Sequence, residues 1–361
     1  MADKLVLVSG VSGYVASHIV KLLQESGYRV RGTVRSLKDA ARIAPLTQLA
    51  KNPKHGLELV EADLVRDDGW DKAMEGVYAV MHTASPFPPI GADVKEEAIF
   101  RPAIEGTRRV LAAAANAGVK KVVVTSSIIA VVGKGGIVKG KKYNEEEWTD
   151  HTSEEVTVYG RSKTLAERAA WEFLDSQPED KKFELSTVNP ALVMGPPLME
   201  SHRSATSVGI MRDTLSNKPP FLPSINFPVC DVRDVALAHL KCLTNPGAVG
   251  KRHLISSGAI WFKGIHEIVG SEFNPQGCRI TTRSLPNFLV RVAALFDQGV
   301  RMEVLPRLDE ILELDTSRMT DVLGIKPTPM KSSLLDMAYA MMELGIVDKP
   351  AKYSGPKFSQ Y

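Results

Sequence analysis

The stretch Val6-Leu7-Val8-Ser9-Gly10-Val11-Ser12-Gly13-Tyr14-Val15-Ala16 decides the fold. It joins an apolar run, a glycine-bearing turn and the opening of an amphipathic segment. Residues 5–8 are continuously apolar, the pattern of a strand covered on both faces. Val15, Ile19, Leu22 and Leu23 then recur at helical spacing, and Gly27 stops the helix. A strand, a glycine turn and a helix in this order present backbone N–H groups and a positive dipole to a pyrophosphate. Gly10 and Gly13 permit the tight turn and the close approach, and Ala16 is small enough for the helix to pack on the strand. The spacing is GxxGxxA rather than GxGxxG. Ser12, Tyr14 and Val15 complete the candidate cofactor-binding turn.

Outward from this turn, apolar runs alternate with amphipathic segments. Strands are expected at residues 28–34, 57–60, 77–82, 121–125 and 185–188, with an alanine-rich helix over 105–117 ended by Gly118. This alternation predicts an α/β fold with a doubly wound parallel sheet. Near residue 195 the texture changes. Gly195-Pro196-Pro197 breaks the pattern, and residues 218–228 hold four prolines, which predicts a loop. A helix over 231–242 and a strand at 253–255 are expected to return toward the sheet. The remainder to 346 reads as mainly helical, and 347–361 as a surface tail. The expected division is 1–194 for a nucleotide-binding half carrying the catalytic residues, 195–346 for a smaller, mostly helical part with 229–256 returning to the first half, and the tail.

Lys and Arg total 45 against 42 Asp and Glu, a net charge of +3, too small a surplus to indicate a nucleic-acid or membrane-surface binder. The three cysteines, Cys230, Cys242 and Cys278, have no metal-ligand spacing and read as reduced thiols. No apolar run is long enough to span a bilayer, and residues 1–4 lack the pattern of a targeting signal. A cytoplasmic monomer or homodimer without a metal is the expectation.

The ribose end of the nucleotide site is expected at the end of the second strand. Val30-Arg31-Gly32-Thr33-Val34-Arg35-Ser36 carries no acid where an NAD-binding chain usually places one. Arg35 stands where a 2′-phosphate would lie, and Arg42 adds a second guanidinium, which predicts a preference for NADP(H). Asp63 and Leu64, after the third strand, are placed to meet an adenine. Thr83, Ala84 and Ser85, after the fourth, are small enough to let a cofactor pass. His82 reads as a packed histidine rather than a base.

Tyr159-Gly160-Arg161-Ser162-Lys163 spaces a phenol and an ammonium by four residues, on one face if a helix begins here. A phenol titrates near 10, and a neighbouring ammonium favours the phenolate. Such a Tyr159 can hand a proton to a carbonyl oxygen as hydride reaches its carbon, while Lys163 also holds the nicotinamide ribose. The fifth strand ends in Thr125-Ser126-Ser127, where a hydroxyl can polarise the same oxygen.

With these motifs in place, the chain resembles an extended short-chain dehydrogenase/reductase. More narrowly, it is similar to the NADPH-dependent group containing dihydroflavonol reductase, anthocyanidin reductase, cinnamoyl-CoA reductase and the fungal aldehyde (methylglyoxal) reductases. The resemblance covers nearly the whole chain. It rests on the glycine turn, Thr33-Val34-Arg35, Ala62-Asp63-Leu64, Thr125-Ser126-Ser127, Tyr143-Asn144-Glu145-Glu146-Glu147-Trp148, the segment from Tyr159 to Glu167, Asn189-Pro190-Ala191-Leu192 and Val232-Arg233-Asp234-Val235-Ala236. It implies a Rossmann-type nucleotide half and a C-terminal substrate-binding part. It also implies catalytic roles for Ser127 (with Ser126 as the alternative), Tyr159 and Lys163, contacts to the nicotinamide from Pro190, Ala191 and Leu192, and a further cofactor contact near Ser204. Phe87 and Ile128 are expected beside the substrate.

Two departures narrow the expected substrate. The residues after Ser127 are Ile128-Ile129-Ala130-Val131-Val132, without the asparagine of dihydroflavonol reductases. Tyr159 is preceded by Glu155-Val156-Thr157-Val158 rather than the NWYC of cinnamoyl-CoA reductases. Both favour a general aldehyde or ketone reductase. The alternatives are a dedicated natural-product reductase, including one acting on a conjugated double bond, a hydroxysteroid dehydrogenase or nucleotide-sugar epimerase, and a non-catalytic NADPH sensor.

Overall fold

The computed structural model describes residues 3–85, 96–132 and 137–356. In chain order the first half runs β1 (Leu5–Val8), α1 (Tyr14–Glu25), β2 (Arg29–Val34), the short α2 (Ala40–Ile43), β3 (Leu57–Glu61), α3 (Trp70–Met74), β4 (Ala79–His82), α4 (Glu96–Asn116) and β5 (Lys121–Thr125). Next come β6 (Lys142–Tyr143), α5 (Val158–Ser176), β7 (Glu184–Pro190), β8 (Leu192–Met194), α6 (Thr206–Leu215), β9 (Asn226–Asp231), α7 (Val232–Thr244) and β10 (Arg252–Ile255). The chain continues through β11 (Gly258–Trp261), α8 (Phe262–Phe273), α9 (Asn287–Ala293), β12 (Glu313–Leu314) and α10 (Met330–Glu343).

Seven strands form one parallel sheet in the order β3-β2-β1-β4-β5-β7-β10. Alternate side chains of each strand enter opposite layers. Val6, Val8, Ala79, Met81 and Val123 join Ile19, Leu23, Val235 and Cys242 from α1 and α7. Leu5, Leu7, Val80, Val122 and Val124 join Trp70, Leu111, Ala114 and Ala170 from α3, α4 and α5. This is the doubly wound parallel sheet that the alternation predicts. The strand order reverses between β1 and β4, so a crevice opens at the carboxyl ends of these two strands.

The later half of the chain adds a three-stranded sheet, β8-β9-β11, and a third apolar layer. Val208 and Met211 of α6, Ile265, Val269 and Phe273 of α8, and Leu334, Met337 and Met341 of α10 pack together there with Met194 and Val229. Among the described residues, no helix is long and apolar enough to cross a membrane.

Three elements differ from the sequence expectation. Residues 226–228 are strand, not loop, and Pro228 of β9 pairs with Ala259 of β11. Proline is tolerated there because β8 reaches only Val229–Asp231, so Pro228 has a strand neighbour on one side alone. Helix α4 begins at Glu96, nine residues before the expected start at residue 105, and contains Pro102. The C-terminal part is less helical than expected, since β11 and β12 interrupt it and residues 276–286 contribute no helix.

Candidate active site

The glycine turn sits at the carboxyl end of β1, in the crevice. Gly10 adopts φ +67°, and a Cβ there would lie 3.0 Å from the Ala84 Cβ. Only a glycine lets the β1 and β4 turns close on one another this way. The Gly10 N–H donates to Thr33 Oγ1 at 2.9 Å, and the Gly13 N–H to the Gly10 carbonyl at 2.9 Å. Gly13 caps α1 without a side-chain acceptor, so the first-turn N–H groups remain available to an anion. The residues present therefore fit a dinucleotide pyrophosphate. Ser12 and Val15 are half-buried beside this turn. Tyr14 is buried, and its hydroxyl donates to the Gly195 carbonyl at 2.6 Å.

Ser9 ties the β1 and β4 ends together. Its Oγ accepts from the N–H groups of Thr83 and Ala84, both at 3.0 Å, which directs its own proton to His82 Nδ1 at 2.9 Å. The Thr83 hydroxyl donates to the Ser9 carbonyl. Burial, and then the charge of Lys163, bring His82 down to about 3, so the imidazole is neutral. Ser85 is half-buried at the edge of the described segment. Phe87 lies outside the described residues.

At the end of β2, Arg35 is exposed, as is Arg42 on α2, and among the described residues neither guanidinium is in an ion pair. Asp63 is half-buried and accepts the Val65 N–H at 3.2 Å. Leu64 packs against Gly106 of α4, where a Cβ would come within 2.9 Å of Leu64 Cβ.

The chemistry-bearing residues converge at the end of β5. Ser127 opens a short turn, Ile128–Ala130, and its Oγ accepts the Ile129 N–H at 3.3 Å. Helix α5 starts opposite, capped by Thr157, whose Oγ1 accepts the Gly160 N–H at 3.1 Å. A Cβ at Gly160 would lie 2.9 Å from Val156 Cγ1 and 3.6 Å from Ile129 Cγ1, so the helix start and the serine turn lie close together. The Ser127 hydroxyl approaches the Tyr159 phenol. Burial pushes the Tyr159 phenol up to about 12, with the nearby Ser127 hydroxyl pulling the other way. This reverses the direction expected from Lys163: the cost of removing the phenolate from water dominates, and the ammonium is not among the groups that shift the phenol. Lys163, one turn further along, is 9 % exposed. Burial lowers it to about 8 against the opposing charge of Glu167.

The remaining candidates take varied positions. Thr125 Oγ1 is 2.7 Å from His239 Nε2, and His239 Nδ1 is 2.8 Å from the Val235 carbonyl. Pro190 ends β7, and Ala191 donates its N–H to Ile255 at 2.9 Å. Leu192 and Ile128 are half-buried. Ser204 is exposed and donates to the Ser201 carbonyl at 3.4 Å.

Sequence reasoning does not reach several supports of this site. Thr33 and Ser9 lie within the quoted motifs, but nothing in those motifs tells that their side-chain hydroxyls brace the glycine turn. Glu167 lies within the quoted Tyr159 motif, but its partners Ser126, Thr187, Asn189 and Arg252 come from the turn after β5 and from β7 and β10. The available signal is a lone acid on the apolar face of an alanine-rich helix, which has to find a buried partner.

Comparison with known proteins agrees with this geometry. Residues 6–256 match the NAD dependent epimerase/dehydratase family. The NADPH-dependent methylglyoxal reductase of Saccharomyces cerevisiae is 33% identical over 285 residues, 74% of this chain and 82% of that protein. Cinnamoyl-CoA reductase 2 of Arabidopsis thaliana is 32% identical over 349 residues, 96% of this chain and 95% of that protein. A crystal structure of Gre2 from Candida albicans in complex with NADPH superposes with a TM-score of 0.78 at 30% identity, covering 94% of this chain and 99% of that one. The chain is an oxidoreductase belonging to the NAD dependent epimerase/dehydratase family, within the extended short-chain dehydrogenases/reductases.

Proposed function

We propose that this oxidoreductase is an NADPH-dependent carbonyl reductase acting on small aldehydes or ketones. The observation that carries the reading is the meeting of the Ser127 turn and the start of α5 at the carboxyl end of β5, which brings the Ser127 hydroxyl near Tyr159, with Lys163 one turn along the same helix. The glycine turn and Arg35 would hold NADPH, which when bound would supply the hydride. Ser127 orients the carbonyl oxygen and Tyr159 gives it a proton. A phenol near 12 supports this direction, because it keeps its proton until charge develops on the substrate oxygen. Lys163 provides a positive charge beside the phenolate that results and a donor for the nicotinamide ribose. Residues 1–194 would hold the cofactor and 195–346 most of the substrate wall.

The test follows NADPH and NADH oxidation by purified protein over small dicarbonyls, aryl aldehydes, aryl ketones, a steroid ketone, a dihydroflavonol and a conjugated enone. Turnover of carbonyl substrates with NADPH favoured over NADH is expected. Turnover confined to the enone, or a preference for NADH, would overturn the reading.

A further inference from the structure

Behind the Tyr159–Lys163 face of α5 lies a buried polar cluster that the proposed reaction does not use. Glu167 is 1 % exposed and Arg252 of β10 is 6 % exposed, and the two form an ion pair at 2.6 Å. The carboxylate is fully engaged. One oxygen accepts from Arg252 Nε and from Thr187 Oγ1 at 3.0 Å. The other accepts from Ser126 Oγ at 2.5 Å, Asn189 Nδ2 at 2.8 Å and Arg252 Nη2 at 3.2 Å. Asn189 Nδ2 also reaches the Ser127 carbonyl at 3.3 Å. Arg252 stacks on Trp148 at 3.7 Å, and its Nη2 donates to the Ala130 carbonyl at 3.2 Å.

Two ends of this cluster touch the machinery. Through Ser126 and Asn189 it holds the Ser127 backbone. Through its position four residues after Lys163, the carboxylate faces the ammonium across one helical turn. A small polar cavity lined by His82, Thr107, Thr125, Ser126, Lys163 and Glu167 joins the two groups. A buried ion pair is a poor device for stability, since well-packed apolar residues usually do as well or better. Its placement gives it another use.

We propose that Glu167, neutralised from behind by Arg252, is a positioning residue that sets the charge of Lys163 and the place of Ser127. This rests on the roles given above to Ser127, Tyr159 and Lys163. The charged or titratable groups facing Lys163 are Glu167 on its own helix and His82 from β4, with Tyr159 one turn before it on α5 and Arg252 of β10 behind Glu167; α4 offers the uncharged Thr107. Only Glu167 is negative among them. Removing its charge makes the ammonium easier to deprotonate and leaves Arg252 repelling it.

The test measures the pH dependence of kcat for NADPH-driven reduction in the wild type, Glu167→Gln, Asn189→Ala and Ser126→Ala, with NADPH affinity by fluorescence titration. Ser126→Ala retains every charge and is the mildest, so it serves if Glu167→Gln does not fold. Glu167→Gln is expected to lower kcat about tenfold or more and to move the alkaline limb to lower pH, with NADPH affinity within about threefold of wild type. Asn189→Ala and Ser126→Ala are expected to lower kcat without moving the limb. An unmoved limb in Glu167→Gln, or wild-type kcat in Asn189→Ala and Ser126→Ala, would overturn the proposal. Tyr159→Phe in the same assay separates the two claims: if it keeps turnover, the reading of Tyr159 as proton donor fails; if it loses turnover while Glu167→Gln behaves as wild type, the positioning role alone fails.

Discussion

A methyl group added at Gly32 would lie 2.4 Å from Val11 Cγ1 and 2.9 Å from its Cγ2. Val11 is fully buried in the glycine turn, so the clash acts on the cofactor loop itself. Gly32→Ala is expected to cost roughly 1–3 kcal/mol, the range for overpacking a well-filled site, and to weaken NADPH binding. Denaturant unfolding checks it, and unchanged stability with unchanged affinity would contradict the packing seen around Val11. Arg35 makes the opposite kind of case, because it is exposed and, among the described residues, has no ion-pair partner. Arg35→Asp is expected to weaken NADPH binding far more than NADH binding without altering stability. Equal losses for both cofactors would remove the assignment of the 2′-phosphate to this end of β2.

At the scale of elements, the N-terminus of α5 fixes Tyr159. Thr157 caps it, and Tyr159 is only the second helical residue. Thr157→Ala is expected to cost about 1 kcal/mol of stability and to lower kcat, since fraying of the first turn moves the phenol away from Ser127. A loss of stability with an unchanged kcat would show that the cap does not govern the phenol. The elements legible in sequence were those whose periodicity and punctuation agree, such as β1, the glycine turn and α1, or β5 followed by the serines. Where local signals conflict with long-range pairing, the reading stops short. Pro228 reads as a break, yet β11 supplies a partner from thirty residues away. Pro102 likewise hides the first two turns of α4. The residues that turn the site into one unit are the least legible. Arg252 meets Glu167 across 85 positions, and no local pattern joins an arginine on β10 to an acid on α5.

On the scale of the whole molecule, the two apolar layers of the large sheet and the third layer around α10 are joined through buried polar residues. Asp231, fully buried at the start of α7, accepts from Arg233 and from Ser333 of α10 at 2.6 Å, and Arg233 pairs with Asp336 of α10 at 2.7 Å. Several histidines share this interior. Burial lowers His18 and His239 to about 4 and His82 and His202 to about 3. In the unfolded chain each titrates near 6.5. Between that value and the folded one, the unfolded state binds more protons, so stability rises with pH there. Stability is therefore expected to be level above about pH 6.5 and to fall steadily as pH drops toward 4. Urea unfolding from pH 8 to pH 4 checks this, and a flat profile would contradict neutral buried histidines.

Proton delivery by Tyr159 is open to test with one variant. Tyr159→Phe removes a single oxygen from a buried site, and kcat for NADPH-driven carbonyl reduction would be measured beside NADPH affinity. The account predicts a fall in kcat of about 10²-fold or more, with affinity within about threefold of wild type. A variant that turns over at the wild-type rate would contradict it.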